Sequence, residues 1–209
     1  MSSVLLAVLL AAQHQHVPGH SFEDIDRWVA EFESPERDER QKPDEVVKAL
    51  KLRPSDRVAD IGAGTGYFTR RFAKASPEGT VYAVDLEPNM LRYIAKRART
   101  EGLKNVVPVL ALPDSPMLAP SSVDMIFICN TIHHIENRAE YYAVLREVLA
   151  PGGRIVVVDF RKDAKLEEGP PEAMRLDRKD LEKELSQAGF RVSEEHDFLP
   201  DQYFVVFSE

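Results

Sequence analysis

The stretch Val58 to Phe68, VADIGAGTGYF, constrains this chain more than any other. Gly62, Gly64 and Gly66 follow directly on an apolar, strand-like run and lead into a helical pattern. Glycine permits a sharp turn and lets backbone N–H groups approach a ligand with no Cβ in the way. A second strand, Thr80 to Val84, ends at Asp85, nineteen residues beyond Gly66. A carboxylate placed there accepts hydrogen bonds from both hydroxyls of a ribose, so loop and acid together predict a nucleoside cofactor. A purely structural turn beside an unrelated surface aspartate accounts for neither the spacing nor the strand context.

From Pro43 onward helical and strand-like segments alternate, as in a sheet wrapped by helices. Helices are predicted over Asp44 to Leu50, Tyr67 to Ala75, Pro88 to Thr100, Arg138 to Leu149 and Arg178 to Ala188. Strands are predicted over Arg57 to Ile61, Thr80 to Val84, Val106 to Leu110, Val123 to Cys129 and Ile155 to Val158. The fourth and fifth are continuous apolar runs, as expected of central strands covered on both faces. Arg191 to His196 and Tyr203 to Phe207 flank Leu199-Pro200-Asp201 as an antiparallel hairpin.

Glycine spacing separates the cofactors. Dinucleotide binders use G-x-G-x-x-G to bring a helix N-terminus against a pyrophosphate. Here the pattern is G-x-G-x-G, and Tyr67 stands where the last glycine would be, which counts against an NAD(P)-dependent oxidoreductase. The segment Asp60-Ile61-Gly62-Ala63-Gly64-Thr65-Gly66 resembles the first motif of the class I S-adenosylmethionine-dependent methyltransferases. The similarity continues through Asp85, through VDMIFICNTIHHI (Val123 to Ile135) and through LREVLAPGGRIVVVDF (Leu145 to Phe160), and covers residues 43–209. The branch it most resembles acts on small metabolites and includes quinone-pathway enzymes.

The resemblance implies a Rossmann-like α/β fold, with a seven-stranded sheet that is parallel except for its last strand. It implies S-adenosyl-L-methionine as cofactor, with Asp60 and Gly62, Ala63, Gly64, Thr65 and Gly66 along the methionine portion. Asp85 would hold the ribose, and Leu86 and Met90 would flank the adenine. The family often carries an aspartate after the third strand for the adenine amino group; Asp114 is the carboxylate available, a few residues late.

Methyl transfer from a sulfonium is an in-line displacement, so alignment matters more than acid catalysis. A base is needed only where the nucleophile must lose a proton. Asn130, Thr131, His133 and His134 lie on the loop after the fourth strand, at the carboxyl edge where such sheets bind ligands. Asn130 is a candidate for both cofactor and catalysis. His133 and His134 suit proton abstraction near neutral pH, although adjacent side chains diverge and one base at most is expected. Asp159 and Tyr203 end and begin strands at the same edge. Cys129, the only cysteine, lies in an apolar run and reads as core.

Residues 21–42 form a separate N-terminal unit. Phe22, Ile25, Trp28, Val29 and Phe32 recur at helical spacing behind Ser21 as N-cap, and this helix would dock on the domain or close over its site. From Glu31 to Lys42 eight of twelve residues are charged, which reads as a solvated connection. Residues 1–20 hold a nine-residue apolar run, Val4 to Ala12, too short to span a bilayer. It resembles a signal-peptide core without the usual basic residues. His14, His16 and His20 follow as a conceivable metal tract, although a mobile polar tail is the plainer reading. Cytoplasmic residence fits the cofactor better than export does.

The chain has 209 residues, 44% hydrophobic, enough for one domain with an extension. With 27 basic and 35 acidic side chains the net charge is −8. That disfavours nucleic acid, and the basic cluster around Arg92, Lys96, Arg97, Arg99 and Lys104 reads as a solvated face. The partner expected is a small-molecule methyl acceptor. A protein that binds the cofactor without turnover remains the alternative outside catalysis.

Overall fold

The computed structural model describes residues 24–166 and 169–209. Three short helices come first: α1 (Ile25–Phe32), α2 (Pro35–Gln41) and α3 (Pro43–Ala49). Then follow β1 (Val58–Ile61), α4 (Thr69–Ala75), β2 (Val81–Asp85), α5 (Pro88–Thr100), β3 (Val106–Leu110) and β4 (Val123–Cys129). A 3-10 turn at Ile132–His134 leads to α6 (Arg138–Val148), β5 (Leu149–Phe160), α7 (Arg178–Gln187), β6 (Arg191–His196) and β7 (Gln202–Ser208). The seven strands form one sheet in the order β3-β2-β1-β4-β5-β7-β6. All neighbours are parallel except β7, which runs antiparallel to both β5 and β6. This is the Rossmann-like, seven-stranded α/β architecture expected from the sequence.

Alternation along the central strands explains their unbroken apolar runs. Ile126 and Ile128 of β4, Ile155 and Val157 of β5, and Val205 and Phe207 of β7 pack on one face with Tyr142, Leu145, Leu181 and Leu185 of α6 and α7. Met125, Phe127, Val156, Val158, Phe204 and Val206 pack on the other with Val46, Phe68 and Phe72. The Phe127 ring centroid lies 4.8 Å from that of Phe68 and 4.9 Å from that of Phe72, so truncation to alanine would cost about 3–5 kcal/mol.

The N-terminal region departs from expectation. Helix α1 begins at Ile25 and is capped by Asp24, whose side chain accepts from the Arg27 N–H; Ser21 and Phe22 lie outside the described residues. So do the apolar run from Val4 and the three histidines behind it. The charged run is not a solvated connection but contains α2, with Ser34 accepting from the Arg37 N–H and Pro35 in the first turn. Its last residue, Gln41, is buried. An ionic network ties this region down. Glu33 pairs with Arg70 (2.7 Å) and Arg97 (3.5 Å), and Glu101 pairs with Arg70, Arg97 and Lys74 at 2.9–3.1 Å. Strand β5 also begins earlier than expected, since Leu149 already pairs with Val123 before the register shifts. Among the described residues no helix is long and apolar enough to cross a membrane.

Candidate active site

Strand order reverses between β1 and β4, and a crevice opens where their carboxyl ends diverge. The chain leaves β1 through Gly62 and β4 through Asn130, and the two exits pack against each other. Gly62 has φ +72°, and a Cβ there would stand 2.2 Å from Thr131 Oγ1, so no side chain fits. Thr131 in turn donates to the Cys129 carbonyl at 2.9 Å. A cavity of about 960 Å3 runs along this edge of the sheet. That is the upper end of the range for small-molecule sites.

At one end the glycine loop and β2 form the wall. Gly64, at φ +55°, donates its N–H to Asp85 Oδ2 at 2.7 Å, and Glu87 donates its own to Oδ1 at 2.9 Å. Burial holds the Asp85 carboxyl above the usual carboxylate range, against the pull of these N–H donors. Gly62, Ala63, Gly64 and Thr65 line the cavity with Asp85, Leu86 and Met90. Thr65 Oγ1 is buried in this wall with no hydrogen-bond partner among the described residues, an orphan that a polar ligand would satisfy. Met90, Leu112 and Pro113 add an apolar surface near Asp85. Carboxylate, a glycine loop without side chains in the way, orphan hydroxyl and apolar slab fit a nucleoside bearing a polar tail.

Three of the expected cofactor residues stand outside the wall. Asp60 is buried behind the loop, where its Oδ2 accepts from the Thr69 hydroxyl at 2.6 Å. Burial pushes its carboxyl up to about 6 despite that bond. Gly66 faces away, and a Cβ on it would lie 3.1 Å from Ile94 Cγ1, so it spaces the loop from α5. Asp114 is exposed on a turn closed by paired bonds between Leu112 and Ser115; Ala111, Leu112 and Pro113 reach the cavity in its place.

The roof comes from the two N-terminal helices, and of its residues sequence patterns singled out Trp28 and Phe32 but not Arg37 and Gln41. Trp28 and Phe32 of α1 and Arg37 and Gln41 of α2 line the cavity. The Arg37 guanidinium lies 4.0 Å from the Tyr67 ring centroid and donates to the Phe32 carbonyl at 2.7 Å. The Tyr67 hydroxyl donates to Asp38 at 2.5 Å. The bulky side chain at the third-glycine position is thus an anchor for α2.

At the other end sit both histidines. His133 Nδ1 lies 2.9 Å from each oxygen of Asp159, and both side chains are almost wholly buried, at 3% and 1% exposure. Asp159 Oδ1 also accepts from the Phe160 N–H at 2.7 Å. A carboxylate at Nδ1 favours the tautomer that keeps its N–H there and leaves the lone pair on Nε2. Contrary to the expected divergence, the His134 ring centroid lies 4.2 Å from that of His133 with the rings tilted by 42°, and both line the cavity. Tyr141 joins them, its phenol pushed up by burial and hence protonated. Tyr203 is the register partner of Asp159 on β7, and its hydroxyl is buried with no hydrogen-bond partner among the described residues. Cys129 is buried, and burial pushes its thiol up, so it is inert core. Among the described residues no cluster of three or more His, Cys, Asp or Glu side chains has the arrangement of a metal site.

Asn130, at φ 54°, connects the two ends. Its Nδ2 donates to Gln41 Oε1 at 3.3 Å, Gln41 Nε2 donates to Gln202 Oε1 at 2.7 Å, and Gln202 Nε2 donates to Asn130 Oδ1. The three amides close a ring.

Sheet order, glycine loop and the acid ending β2 are similar to the scaffold of the class I S-adenosylmethionine-dependent methyltransferases. Residues 59–155 match the family model described as a methyltransferase domain. Over 119 residues the chain is 34% identical to the ubiquinone/menaquinone biosynthesis C-methyltransferase UbiE of Burkholderia vietnamiensis, an alignment covering 56% of this chain and 48% of that protein. It therefore spans about half the length of the curated relatives it matches. A crystal structure of a SAM-dependent methyltransferase from Aquifex aeolicus superposes with a TM-score of 0.80 at 26% identity, covering 86% of this chain and 95% of that one. The [4+2]-cyclase SpnF shares the fold at a TM-score of 0.68 and 16% identity, over 81% of each chain.

Proposed function

We propose that this chain transfers a methyl group from S-adenosylmethionine to a small-molecule acceptor that loses a proton in the reaction. The observation that carries the reading is one continuous cavity with the glycine loop and Asp85 at one end and the buried His133–Asp159 pair at the other. When bound, the cofactor supplies a methyl group on a positively charged sulfur. Asp85 and the Gly62 to Thr65 backbone would hold its ribose and tail, and Leu86 and Met90 its base. Asp60 and Gly66 act behind them as supports of the loop.

Asp159 fixes the His133 tautomer, and Nε2 accepts the proton that the acceptor gives up as its nucleophilic atom bonds to the methyl carbon. Tyr141, Phe160, Pro171 and Met174 enclose the acceptor in a mostly apolar wall. A neutral, ring-containing hydroxyl compound matches that wall and needs that base. The quinone-pathway name of the UbiE relatives supports starting the acceptor screen with hydroquinones.

Calorimetry with S-adenosylhomocysteine tests the cofactor, and methyl transfer above background tests the reaction. His133→Ala and Asp159→Asn are expected to lower kcat by about 100-fold or more while leaving S-adenosylhomocysteine affinity within about twofold. Both variants are also expected to change the shape of the pH–rate profile relative to the wild type. An unchanged pH profile in both would remove His133 as the base, and binding without transfer to any acceptor would leave a cofactor-binding protein.

A further inference from the structure

We propose that Gln41 and Gln202 are positioning residues which, through their closed amide ring with Asn130, fasten α2 as the roof of the cofactor cavity. The proposal rests on the reading of that cavity as the cofactor site. Its observation is separate: three neutral amides from α2, the β4 exit and β7, lying 72 to 161 residues apart in sequence, each donate one hydrogen and each accept one. Gln41 and Gln202 are 3% and 5% exposed, so removing any member leaves its neighbours with buried, unmet polar groups.

The seat of α2 explains why a ring is needed. The helix has seven residues, too few to be stable alone, and its sequence PERDERQ offers no apolar stripe. Polar contacts therefore hold it. Asp38 and Arg37 grip Tyr67, and Lys42 Nζ, just beyond the helix, donates to the Phe198 carbonyl at 2.9 Å. Of these attachments only the ring joins α2 to the loop that carries His133. It sets the distance between the roof and the reacting end, and it holds Arg37 over the glycine loop. Breaking it would loosen the roof without detaching it, because the Tyr67 and Phe198 contacts persist.

Trp28, the only tryptophan in the chain, reports on the roof from within, since it is 4% exposed on α1 and lines the cavity. The test uses the full chain and the substitutions Gln41→Met, Gln202→Met and both together. Acrylamide quenching of Trp28 is measured without ligand, and S-adenosylhomocysteine affinity by calorimetry, at temperatures well below each variant's Tm. Either single substitution should raise the quenching constant about twofold and weaken binding by about fivefold to tenfold. The double variant should match the singles within about twofold, because a ring already open cannot be opened again. Gln41→Glu, which keeps the size and the acceptor but cannot donate to Gln202, should behave as Gln41→Met does, and it serves if Gln202→Met fails to fold. Unchanged quenching in the Gln41 variants, or effects that multiply in the double, would overturn the proposal. If the wild type binds no S-adenosylhomocysteine the cofactor reading fails, while the quenching arm still decides whether the ring fastens the roof.

Discussion

Asp60 and Asp85 leave neighbouring strands at the same edge of the sheet, and burial is the main reason both carboxyls are held above the ordinary range. Their partners give them different work. Asp85 faces the cavity, so Asp85→Asn, which keeps the shape and loses the charge, is expected to weaken S-adenosylhomocysteine binding by about 10- to 100-fold in calorimetry. Asp60 is buried with its side chain bonded to Thr69, and it reaches about 6 in the folded protein against about 3.9 in an unfolded chain. Between those values the folded state binds the extra proton, so stability falls as pH rises through the window and stays lower above it. Urea unfolding should therefore find Asp60→Asn equal to wild type near pH 4 and more stable above pH 7, by up to about 3 kcal/mol. At this scale the meeting of Gly62, Gly64 and Asp85 at one cavity was legible, because loop and acid keep a fixed spacing in the sequence. Arg37, Gln41 and Gln202 were not, because a lone polar residue carries no period and its partners lie far along the chain. Asp114 misled for the opposite reason: it was the carboxylate nearest the expected place, yet the turn after β3 points it outward.

Among elements, strands were read most faithfully. Val106–Leu110, Val123–Cys129 and Arg191–His196 fall where the sequence placed them, because the apolar run of Val123–Cys129 and the glycines and prolines that bound the two edge strands are local signals. Helix α2 was missed because charge density suggested a linker, although Ser34 and Pro35 already spelled a helix start. The same charges dock the N-terminal region through Glu33, Arg70, Arg97 and Glu101. Burial opposes the Glu101 charge, yet Lys74, Arg70 and Arg97 hold its carboxyl down to about 2. Its stabilising share is present above the unfolded value near 4.3 and disappears as pH falls toward 2. Glu101→Gln should cost about 1–2 kcal/mol at pH 7, allowing for solvent screening, and the variant's denaturation midpoint should change less than the wild type's between pH 5 and pH 2.

For the molecule as a whole, the fold is a weaker guide to the reaction than the contents of the crevice, since a [4+2]-cyclase shares the architecture. Ligand linkage gives a direct reading of the cofactor class. S-Adenosylhomocysteine at about 100 times its Kd should add about 2.7 kcal/mol and raise Tm by about 5–10 °C, whereas NAD at the same concentration should leave it unmoved. A shift with NAD alone would reopen the oxidoreductase reading.

Strand β7 lies between β5 and β6 and carries Gln202 to the roof on one face and Tyr203 toward Asp159 on the other. On a ribosome, α2 therefore emerges about 160 residues before the side chain that completes its seat. Until then the roof helices lack that anchorage, and the early-made half of the sheet presents β5 as an open edge. A nascent chain halted before residue 202 carries the glycine loop without the amide that fastens the roof, so that fastening arrives in one late step rather than growing with length.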